Sequence, residues 1–356
     1  MSDPMHSTFD NPLGLRGIDF VEYAHPQPDA LADLFSGLGF SRRHTLAGRG
    51  IDLWTQRDVT FLVNHETDAF AGRFVAAHGP CISAMGWRVD NAEAAFAEAL
   101  VRGAVAYEGE DGATPIAAPA IRGIGGSLIV FVDGWEGHPS PTGRNWRAEV
   151  RPHAEPMLVQ DRGFYAIDHL TNNVQKGQME TWRAFYRDVF GFRDVRTFDI
   201  RGEKTGLSSY ALRSPDGSFC IPINEGSEDK SQIEEYLREY DGAGVQHIAL
   251  LTDDLRGSLD RMVGSGIATL DIDPSYYREV FDRVHGVRED PTRIEAHQVL
   301  VDGDDDGYLL QIFTQNVIGP IFFELIQRRN HDSFGEGNFG ALFRSIERDQ
   351  ERRGVL

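Results

Sequence analysis

The chain has 356 residues and carries 35 Lys and Arg against 55 Asp and Glu, which gives a formal net charge of −20. Hydrophobic residues make up 41% of the chain and charged residues 25%, a composition typical of globular proteins with a buried core. The length predicts two domains, and the acidic balance argues against nucleic acid and anionic membrane surfaces as partners.

The cysteines and the N-terminus indicate the compartment. Cys81 and Cys220 are too few for a four-cysteine zinc site or a disulfide framework, and neither has the surroundings of a nucleophile. Residues 1–6 lack the basic-then-apolar signature of a signal peptide. No apolar run approaches the roughly 18 residues of a membrane span. These features predict a cytoplasmic protein with no membrane partner.

A strand–helix pattern occurs four times along the chain. The predicted strand and helix pairs are 17–22 with 29–38, 82–90 with 92–101, 166–171 with 179–190, and 245–253 with 255–263. Short β-rich runs follow, at 51–54, 59–64, 128–132, 196–200, 207–212, 220–224, 308–313 and 322–326. The Pro- and Gly-rich segment 134–162 separates two halves with two units each. This organisation predicts an α+β protein with curved, mainly antiparallel sheets.

Two histidines distinguish the halves. Aligning the first strands sets Phe20 opposite His169, and aligning the second strands sets Ala84 opposite His247. Histidine on both inner strands of only one half is the pattern expected of a duplicated scaffold in which one copy holds a metal. A lone strand histidine is more often an ordinary core or surface residue. The hypothesis of a metal site therefore depends on the occurrence of both histidines in the same half.

Glu324 supplies a third candidate ligand. It lies in an otherwise apolar run, where an unpaired carboxylate is costly to bury. An ion pair with Arg328 or Arg329 is the alternative explanation. Two imidazoles and one carboxylate form the facial triad of non-heme Fe(II) oxygenases, which leaves open positions for substrate and O₂.

Three further segments invite a functional interpretation. Residues 302–307 are rich in Asp but lack the EF-hand spacing, so a solvated hairpin turn is favoured over a calcium site. Residues 123–126 predict a tight turn before a strand rather than a phosphate loop. Near the C-terminus, Phe339, Phe343 and Ile346 share one face of a predicted amphipathic helix. This helix is either an ordinary docking helix or a lid over an aromatic pocket.

Six motifs carry a family resemblance: residues 167–171, 221–225, 244–247, 310–313, 323–328 and 334–339. Through them the chain closely resembles the bacterial 4-hydroxyphenylpyruvate dioxygenases, of the vicinal-oxygen-chelate superfamily, over residues 11–356. The resemblance implies an α+β fold of two tandem vicinal-oxygen-chelate (glyoxalase/extradiol-dioxygenase-like) domains. Each domain is then a pair of βαβββ modules forming an open barrel, with a C-terminal helix added. Residues 1–150 are expected to form a non-metal domain for structure and oligomerisation, and residues 151–356 a catalytic domain with a lid helix.

The same resemblance implies the composition of the active site. His169, His247 and Glu324 are expected to hold Fe(II). The expected catalytic residues are polar: Ser209, Asn224, Gln232, Gln246 and Gln311. The expected substrate-binding residues are apolar: Pro222, Phe313, Phe322, Phe334, Phe339 and Phe343.

The activity implied by the family uses 4-hydroxyphenylpyruvate and O₂. Oxidative decarboxylation, ring hydroxylation and side-chain migration give homogentisate and CO₂ in tyrosine and phenylalanine catabolism. A homotetramer is expected, with a homodimer as the alternative. Rival functions are a 4-hydroxymandelate synthase, an extradiol catechol dioxygenase that would need an acid/base histidine, and a non-catalytic binding protein of the same fold.

Overall fold

The computed structural model describes residues 10–109, 114–135 and 137–356, so residues 1–6 lie outside the described part of the chain. The strands of the first half are β1 (Leu15–Ala24), β2 (Ser41–Leu46), β3 (Ile51–Gln56), β4 (Val59–Asn64), β5 (Cys81–Val89), β6 (Ala120–Arg122), β7 (Leu128–Val132) and β8 (Val150–Met157). Its α-helices are α1 (Leu31–Gly37), α2 (Phe70–His78) and α3 (Ala92–Val101).

The second half repeats this arrangement and extends it. Its strands are β9 (Phe164–Val174), β10 (Arg193–Arg201), β11 (Gly206–Arg213), β12 (Cys220–Gly226), β13 (Gly244–Thr252), β14 (Leu300–Gly303), β15 (Tyr308–Phe313) and β16 (Phe322–Arg329). Its α-helices are α4 (Met179–Phe190), α5 (Gln232–Glu239), α6 (Leu255–Met262), α7 (Ser275–Arg283), α8 (Pro291–Ala296) and α9 (Phe339–Arg352).

Each half folds into one curled eight-stranded sheet. The strand order is β6-β7-β5-β1-β4-β3-β2-β8 in the first sheet and β10-β11-β12-β9-β13-β16-β15-β14 in the second. In both sheets an antiparallel pair, β1 with β5 or β9 with β13, joins two modules at the centre. The strands flanking each pair run parallel to it. The prediction of two tandem α+β domains with open barrels and a C-terminal helix is confirmed.

The boundary between the sheets lies later than the predicted division at 150/151. β8 pairs with β2, so that Arg151 lies opposite Thr45, and the change of sheet falls between Met157 and Phe164. A boundary at 150/151 therefore cuts β8 from its own sheet. β8 is mostly exposed on both faces, so it lacks the period-two alternation by which a strand is recognised.

The structure contains the predicted strands and helices of the four repeated units, and it has further helices in the connections. Helices 92–101 and 179–190 have their predicted bounds. Residues 304–307 form the predicted turn between β14 and β15, but Asp302 before it is buried. The glycine-rich residues 123–126 form the predicted turn before β7. Four short helices have no counterpart among the predicted elements: α2 and α5 lie between repeated units, and α7 and α8 lie in the long connection within the fourth unit.

Aromatic side chains join the two halves into one hydrophobic core. Phe61 of β4 lies 6.1 Å from Phe323 of β16, measured between ring centroids. Trp87 of β5 makes an edge contact with Phe190 of α4 at 4.7 Å. In the described residues, no helix has the length and apolar character needed to cross a bilayer.

The central strands of the two sheets share one register. Phe20 lies opposite Gly86 in the first sheet, and His169 lies opposite Ala249 in the second. The same comparison sets Ala84 in the place of His247, which supports the alignment made from the sequence. The Phe20 ring covers the Cα of Gly86, since a Cβ at that position would overlap the ring. An aromatic side chain therefore fills the first half at the place where the second half has a histidine.

Gly86→Ala is expected to lower the free energy of unfolding by about 1–3 kcal/mol, because the added methyl group overpacks against Phe20. Urea unfolding measures the change. The matched control is Phe20→Leu with Gly86→Ala, which removes the overlap and should recover part of the loss. Wild-type stability in the single variant would contradict this account of the first half.

Candidate metal centre

Strand register brings three candidate ligands to one face of the second sheet. Ala249 of β13 lies opposite His169 of β9 on one side and opposite Glu324 of β16 on the other. His247 comes two residues before Ala249 and therefore lies on the same face, because side chains alternate along a strand. The methyl group of Ala249 leaves the space into which its larger neighbours converge.

The three ligand atoms are close together and buried. His169 Nε2 lies 3.3 Å from His247 Nε2 and 3.1 Å from Glu324 Oε2, and the distance from His247 Nε2 to Glu324 Oε2 is 3.5 Å. Each of the three residues is at most 9% exposed. Among the described residues, this is the one group of three or more His, Cys, Asp or Glu side chains arranged to hold a metal ion.

Hydrogen bonds orient both imidazoles toward the centre. His169 Nδ1 lies 2.7 Å from Asp168 Oδ2, and His247 Nδ1 lies 3.2 Å from Gln246 Oε1. Because both partners accept hydrogen bonds, each Nδ1 is the donor to its partner, and each Nε2 is the atom that faces the centre and presents a lone pair whenever the ring is neutral. Two imidazole lone pairs and a carboxylate oxygen then point at one another. This donor set fits a divalent cation, which satisfies all three atoms at once.

The electrostatics of the group also favour a cation. Burial lowers the pKa of His169, but the carboxylates of Glu324 and Asp168 outweigh burial and raise it to about 9. Burial raises the pKa of Glu324, but the two imidazoles outweigh burial and lower it to about 2. Burial lowers the pKa of His247. A carboxylate ionised in a buried site is stabilised by positive charge placed between it and its neighbours.

A buried ion pair between Asp168 and Arg328 fixes the carboxylate that contacts His169 Nδ1. Arg328 donates to both oxygens of Asp168, at 2.7 and 2.9 Å. Although burial raises the pKa of Asp168, the Arg328 guanidinium holds it well below its usual range. The alternative that Glu324 pairs with Arg328 or Arg329 is wrong, because Arg328 binds Asp168 and Arg329 donates to the backbone carbonyl of Asp253.

The three candidate ligands line one common pocket. Every polar and apolar side chain predicted for the site lines the same pocket: Ser209, Pro222, Asn224, Gln232, Gln246, Gln311, Phe313, Phe322, Phe334, Phe339 and Phe343. The structure therefore brings the whole predicted set together, from β11, β12, α5, β13, β15, β16 and the C-terminal segment. Their catalytic and binding roles stay predictions.

The polar wall of the pocket is pre-arranged by its own hydrogen bonds. Asn224 donates to Asn173 Oδ1 at 3.3 Å and to Gln246 Oε1 at 3.5 Å. Because Gln246 Oε1 also accepts from His247, the N–H groups of Gln246 are left for a bound molecule. Amides bind an oxygen of a ligand without burying a charge.

Aromatic rings form the remaining walls. Phe322 stacks on His247 with 4.7 Å between ring centroids, and Phe334 lies edge-on to His169 at 5.6 Å. From α9, Phe339, Phe343 and Ile346 face the pocket, so this helix closes one side of it. The predicted aromatic face of the C-terminal helix is confirmed, while its movement as a lid stays a prediction.

The sequence analysis missed several lining residues: Thr171, Phe198, Ile200, Leu207 and Leu342. Thr171 could have been found, because it follows His169 by two residues and shares its strand face. Its hydroxyl lies 3.0 Å from His247 Nε2. The apolar residues carry no signal that separates them from ordinary core positions.

Neither cysteine belongs to the site. Cys81 and Cys220 are both buried, and neither lines the metal pocket. Burial raises the pKa of the Cys220 thiol to about 11, so it is not a thiolate at neutral pH. The only histidines lining the pocket are the two candidate ligands, so an acid/base histidine of the extradiol type is missing from its described lining.

Comparisons with known proteins identify the family of this chain. The family described as Hydroxyphenylpyruvate dioxygenase, HPPD, N-terminal matches residues 9–146, and the Glyoxalase/Bleomycin resistance protein/Dioxygenase superfamily matches residues 166–312. Protein MelA of Shewanella colwelliana is 53% identical over 97% of this chain and 99% of its own. The 4-hydroxyphenylpyruvate dioxygenase of Legionella pneumophila is 43% identical over 98% of both chains.

A solved structure shares the fold. A triple mutant of 4-hydroxymandelate synthase from Streptomyces coelicolor superposes with a TM-score of 0.77 at 24% identity, covering 94% of this chain and 99% of its own. At that identity the likeness concerns the fold alone.

Asp168→Asn is expected to weaken divalent-metal binding roughly 10–100-fold, because it removes the carboxylate that orients His169 and raises its basicity. Competition with a chelating dye measures the dissociation constant. Asp253→Asn, an exposed carboxylate at the end of β13, is the matched control and should bind metal like the wild type. Equal affinities in the two variants would refute the role of the Asp168–Arg328 pair.

Proposed function

The chain belongs to the 4-hydroxyphenylpyruvate dioxygenase family and is a non-heme iron dioxygenase, and we propose that it converts 4-hydroxyphenylpyruvate and O₂ into homogentisate and CO₂ in tyrosine and phenylalanine catabolism. The reaction balances without a further reductant. The acid loses its carboxyl carbon as CO₂, and the two oxygen atoms of O₂ enter the products. The non-catalytic alternative is thereby set aside.

One observation carries the proposal: the acceptor atoms of His169, His247 and Glu324 converge in a pocket walled by amides and phenylalanines. We propose that these three side chains hold Fe(II). When bound, Fe(II) supplies adjacent positions for the 2-oxo acid and O₂ and the electrons that activate O₂. Three protein ligands leave those positions open. In this proposal the two halves of the chain have different functions, because among the described residues only the second half presents two imidazoles and a carboxylate together.

The polar side chains orient the substrate in this proposal. Ser209, Asn224 and Gln232 lie in the pocket with Gln246, whose oxygen is already used by the protein. N–H and O–H donors directed at a ligand match the oxygens of a phenol and a 2-oxo acid. Held by fixed donors, the ring carbon that must be hydroxylated stays near the metal.

The phenylalanines position the aromatic ring and exclude water. Phe334, Phe339 and Phe343 approach from the C-terminal segment, opposite the strands that carry Pro222 and Phe313. Offset and edge contacts with a phenol ring are favourable. Phenylalanine also lacks a heteroatom that an oxidising centre could attack, and a dry pocket protects the reactive species from side reactions.

4-Hydroxymandelate synthase is the nearest rival, because it is proposed to use the same donor set and substrate on the same fold. The two activities differ in the carbon that is oxidised, at the ring or at the benzylic position. Pro222, Asn224 and Phe343 resemble the residues of the dioxygenases, and this resemblance favours the dioxygenase assignment. The product distinguishes the two directly.

The proposed assembly rests on the family resemblance, and the proposed compartment rests on the few cysteines and the composition of the N-terminus. We propose a homotetramer, with a homodimer as the alternative, in which the first domain supplies the contacts between copies. We also propose a cytoplasmic location. Light scattering on the purified protein measures the first, and fractionation of cells measures the second.

The purified protein, reduced and loaded with Fe(II), is expected to consume O₂ with 4-hydroxyphenylpyruvate and to release homogentisate and CO₂ in equal amounts. Liquid chromatography of the products against both standards makes the measurement. 4-Hydroxymandelate as the main product would transfer the assignment to the synthase. O₂ uptake no greater than that of the metal-free protein would contradict both activities.

His169→Ala, His247→Ala and Glu324→Ala are each expected to abolish turnover and stoichiometric iron binding while leaving the protein folded, because each removes one of three ligands. Oxygen uptake and iron content measure the loss, and circular dichroism reports the fold. His285→Ala, at an exposed position of the same domain, is the control. Near-normal turnover in any of the three variants would remove that residue from the ligand set.

A further inference from the structure

A line of buried hydrogen bonds runs from α7 to the carboxylate of Glu324. Asn338, which is 1% exposed at the foot of α9, donates from Nδ2 to Gln311 Oε1 at 2.9 Å. Gln311 donates in turn from Nε2 to Glu324 Oε1 at 3.1 Å. Tyr276 and Arg283 of α7 both donate to Asn338 Oδ1, at 2.7 and 3.3 Å. The C-terminal segment is therefore connected to the candidate metal centre through one amide.

Both ends of this line of hydrogen bonds set its polarity, because Arg283 can only donate and the ionised Glu324 can only accept. A guanidinium can only donate hydrogen bonds, so Arg283 requires an oxygen from Asn338. With its oxygen on that side, Asn338 presents its N–H₂ group to Gln311. Gln311 must then accept through its oxygen and turn its own N–H₂ group toward Glu324. The ionised Glu324 at the other end can only accept hydrogen bonds, so it requires the same orientation of Gln311, and neither amide can reverse without losing a hydrogen bond.

Asp302 holds that arginine in place. It accepts from Arg283 Nη1 at 2.7 Å and from the backbone N–H of Gly337 at 3.0 Å. Asp302 is 6% exposed and precedes the acidic turn at 304–307. The first aspartate of that acidic run therefore has a structural task that its exposed neighbours do not share.

Two glycines allow the C-terminal segment to lie against these groups. A Cβ at Gly335 would overlap the Gln311 amide, and φ at Gly335 is +78°. A Cβ at Gly337 would overlap Arg283 and Asp302. The glycine spacing around Glu336 thus permits a close approach in addition to any mobility of α9.

We propose that Asn338 is a positioning residue, which orients the Gln311 amide so that it caps Glu324 Oε1 and leaves only Glu324 Oε2 to the metal. Oε2 is the oxygen that lies 3.1 Å from His169 Nε2. A carboxylate held through one oxygen contributes one ligand atom, so the positions needed by a 2-oxo acid and O₂ stay open. This inference rests on the proposed function, because it assigns a supporting residue to the same metal centre.

The test is metal binding by the full-length protein without substrate, with Co(II) as the probe. Asn338→Ala is expected to raise the Co(II) dissociation constant roughly 10–100-fold and to change the visible absorption of the bound ion, because the Glu324 carboxylate is no longer held. Asn316→Ala, at an exposed position of the same domain, is the control and should match the wild type in both measurements. A wild-type spectrum and dissociation constant in Asn338→Ala would overturn the proposal.

A double-mutant cycle shows whether Asn338 acts through Gln311. The effect of Asn338→Ala on Co(II) binding should vanish when Gln311 is already Ala. A full effect in the Gln311→Ala background would overturn the proposal, because a merely structural role of Asn338 would persist there. Activity enters none of these readouts, so a failure to form homogentisate does not affect them. A wild-type protein that binds no Co(II) would contradict the metal centre itself.

A second variant covers the case in which Asn338→Ala fails to fold. Arg283→Gln removes the obligatory donor from a partly exposed position and leaves Asn338 and Gln311 in place. It should raise the Co(II) dissociation constant, although by less than Asn338→Ala. Loss of a positive charge by itself favours cation binding, so weaker binding cannot come from charge alone. Unchanged or tighter binding would count against the proposal.

Discussion

The convergence of three buried acceptor atoms on the face of one sheet is the constraint on which the candidate metal centre depends. Buried lone pairs that face one another are unfavourable without positive charge between them. The surroundings are built to support this arrangement. Asp168 and Gln246 fix the Nδ1 atoms of the two imidazoles, and Arg328 neutralises Asp168. The three candidate ligands are therefore held in place by hydrogen bonds from neighbouring side chains.

The duplicated scaffold shows how few positions distinguish the half that carries the three candidate ligands from the half that lacks them. Strand register sets Phe20, Ala84 and Val130 of the first sheet where the second has His169, His247 and Glu324. In the first sheet, Gly86 lies between Phe20 and Val130 on the neighbouring strands. In the second sheet, Ala249 lies between His169 and Glu324. Because Gly86 has no side chain, the Phe20 ring packs directly over it and fills this region of the first sheet.

The sequence was sufficient to predict the repeated units and to single out three candidate ligands that the structure brings together. A strand–helix repeat and two histidines in one half lead to His169 and His247, and an isolated carboxylate leads to Glu324. The contacts that support the candidate ligands could not be predicted from the sequence, because they join residues that are far apart along the chain. Arg328 meets Asp168 across 160 positions, and β8 returns to β2 across more than 100. Neither pairing leaves a local pattern in the sequence.

The missed features also have local reasons. α7 supplies Tyr276 and Arg283 to Asn338 from within an irregular connection, where no repeat marks it. Asp302 was grouped with an exposed turn because composition alone does not separate a buried carboxylate from solvated neighbours. The polar and aromatic residues of the pocket came from family resemblance. The structure brings them together, and their roles await measurement.

Anomalous diffraction at the iron absorption edge, from crystals of the Fe(II)-loaded protein, tests the central claim most directly. The account predicts one iron per chain, bound by His169 Nε2, His247 Nε2 and Glu324 Oε2, with Glu324 Oε1 on the Gln311 amide. It predicts no iron at Phe20, Ala84 and Val130. Iron bound elsewhere, or bound without one of the three ligands, would contradict the account.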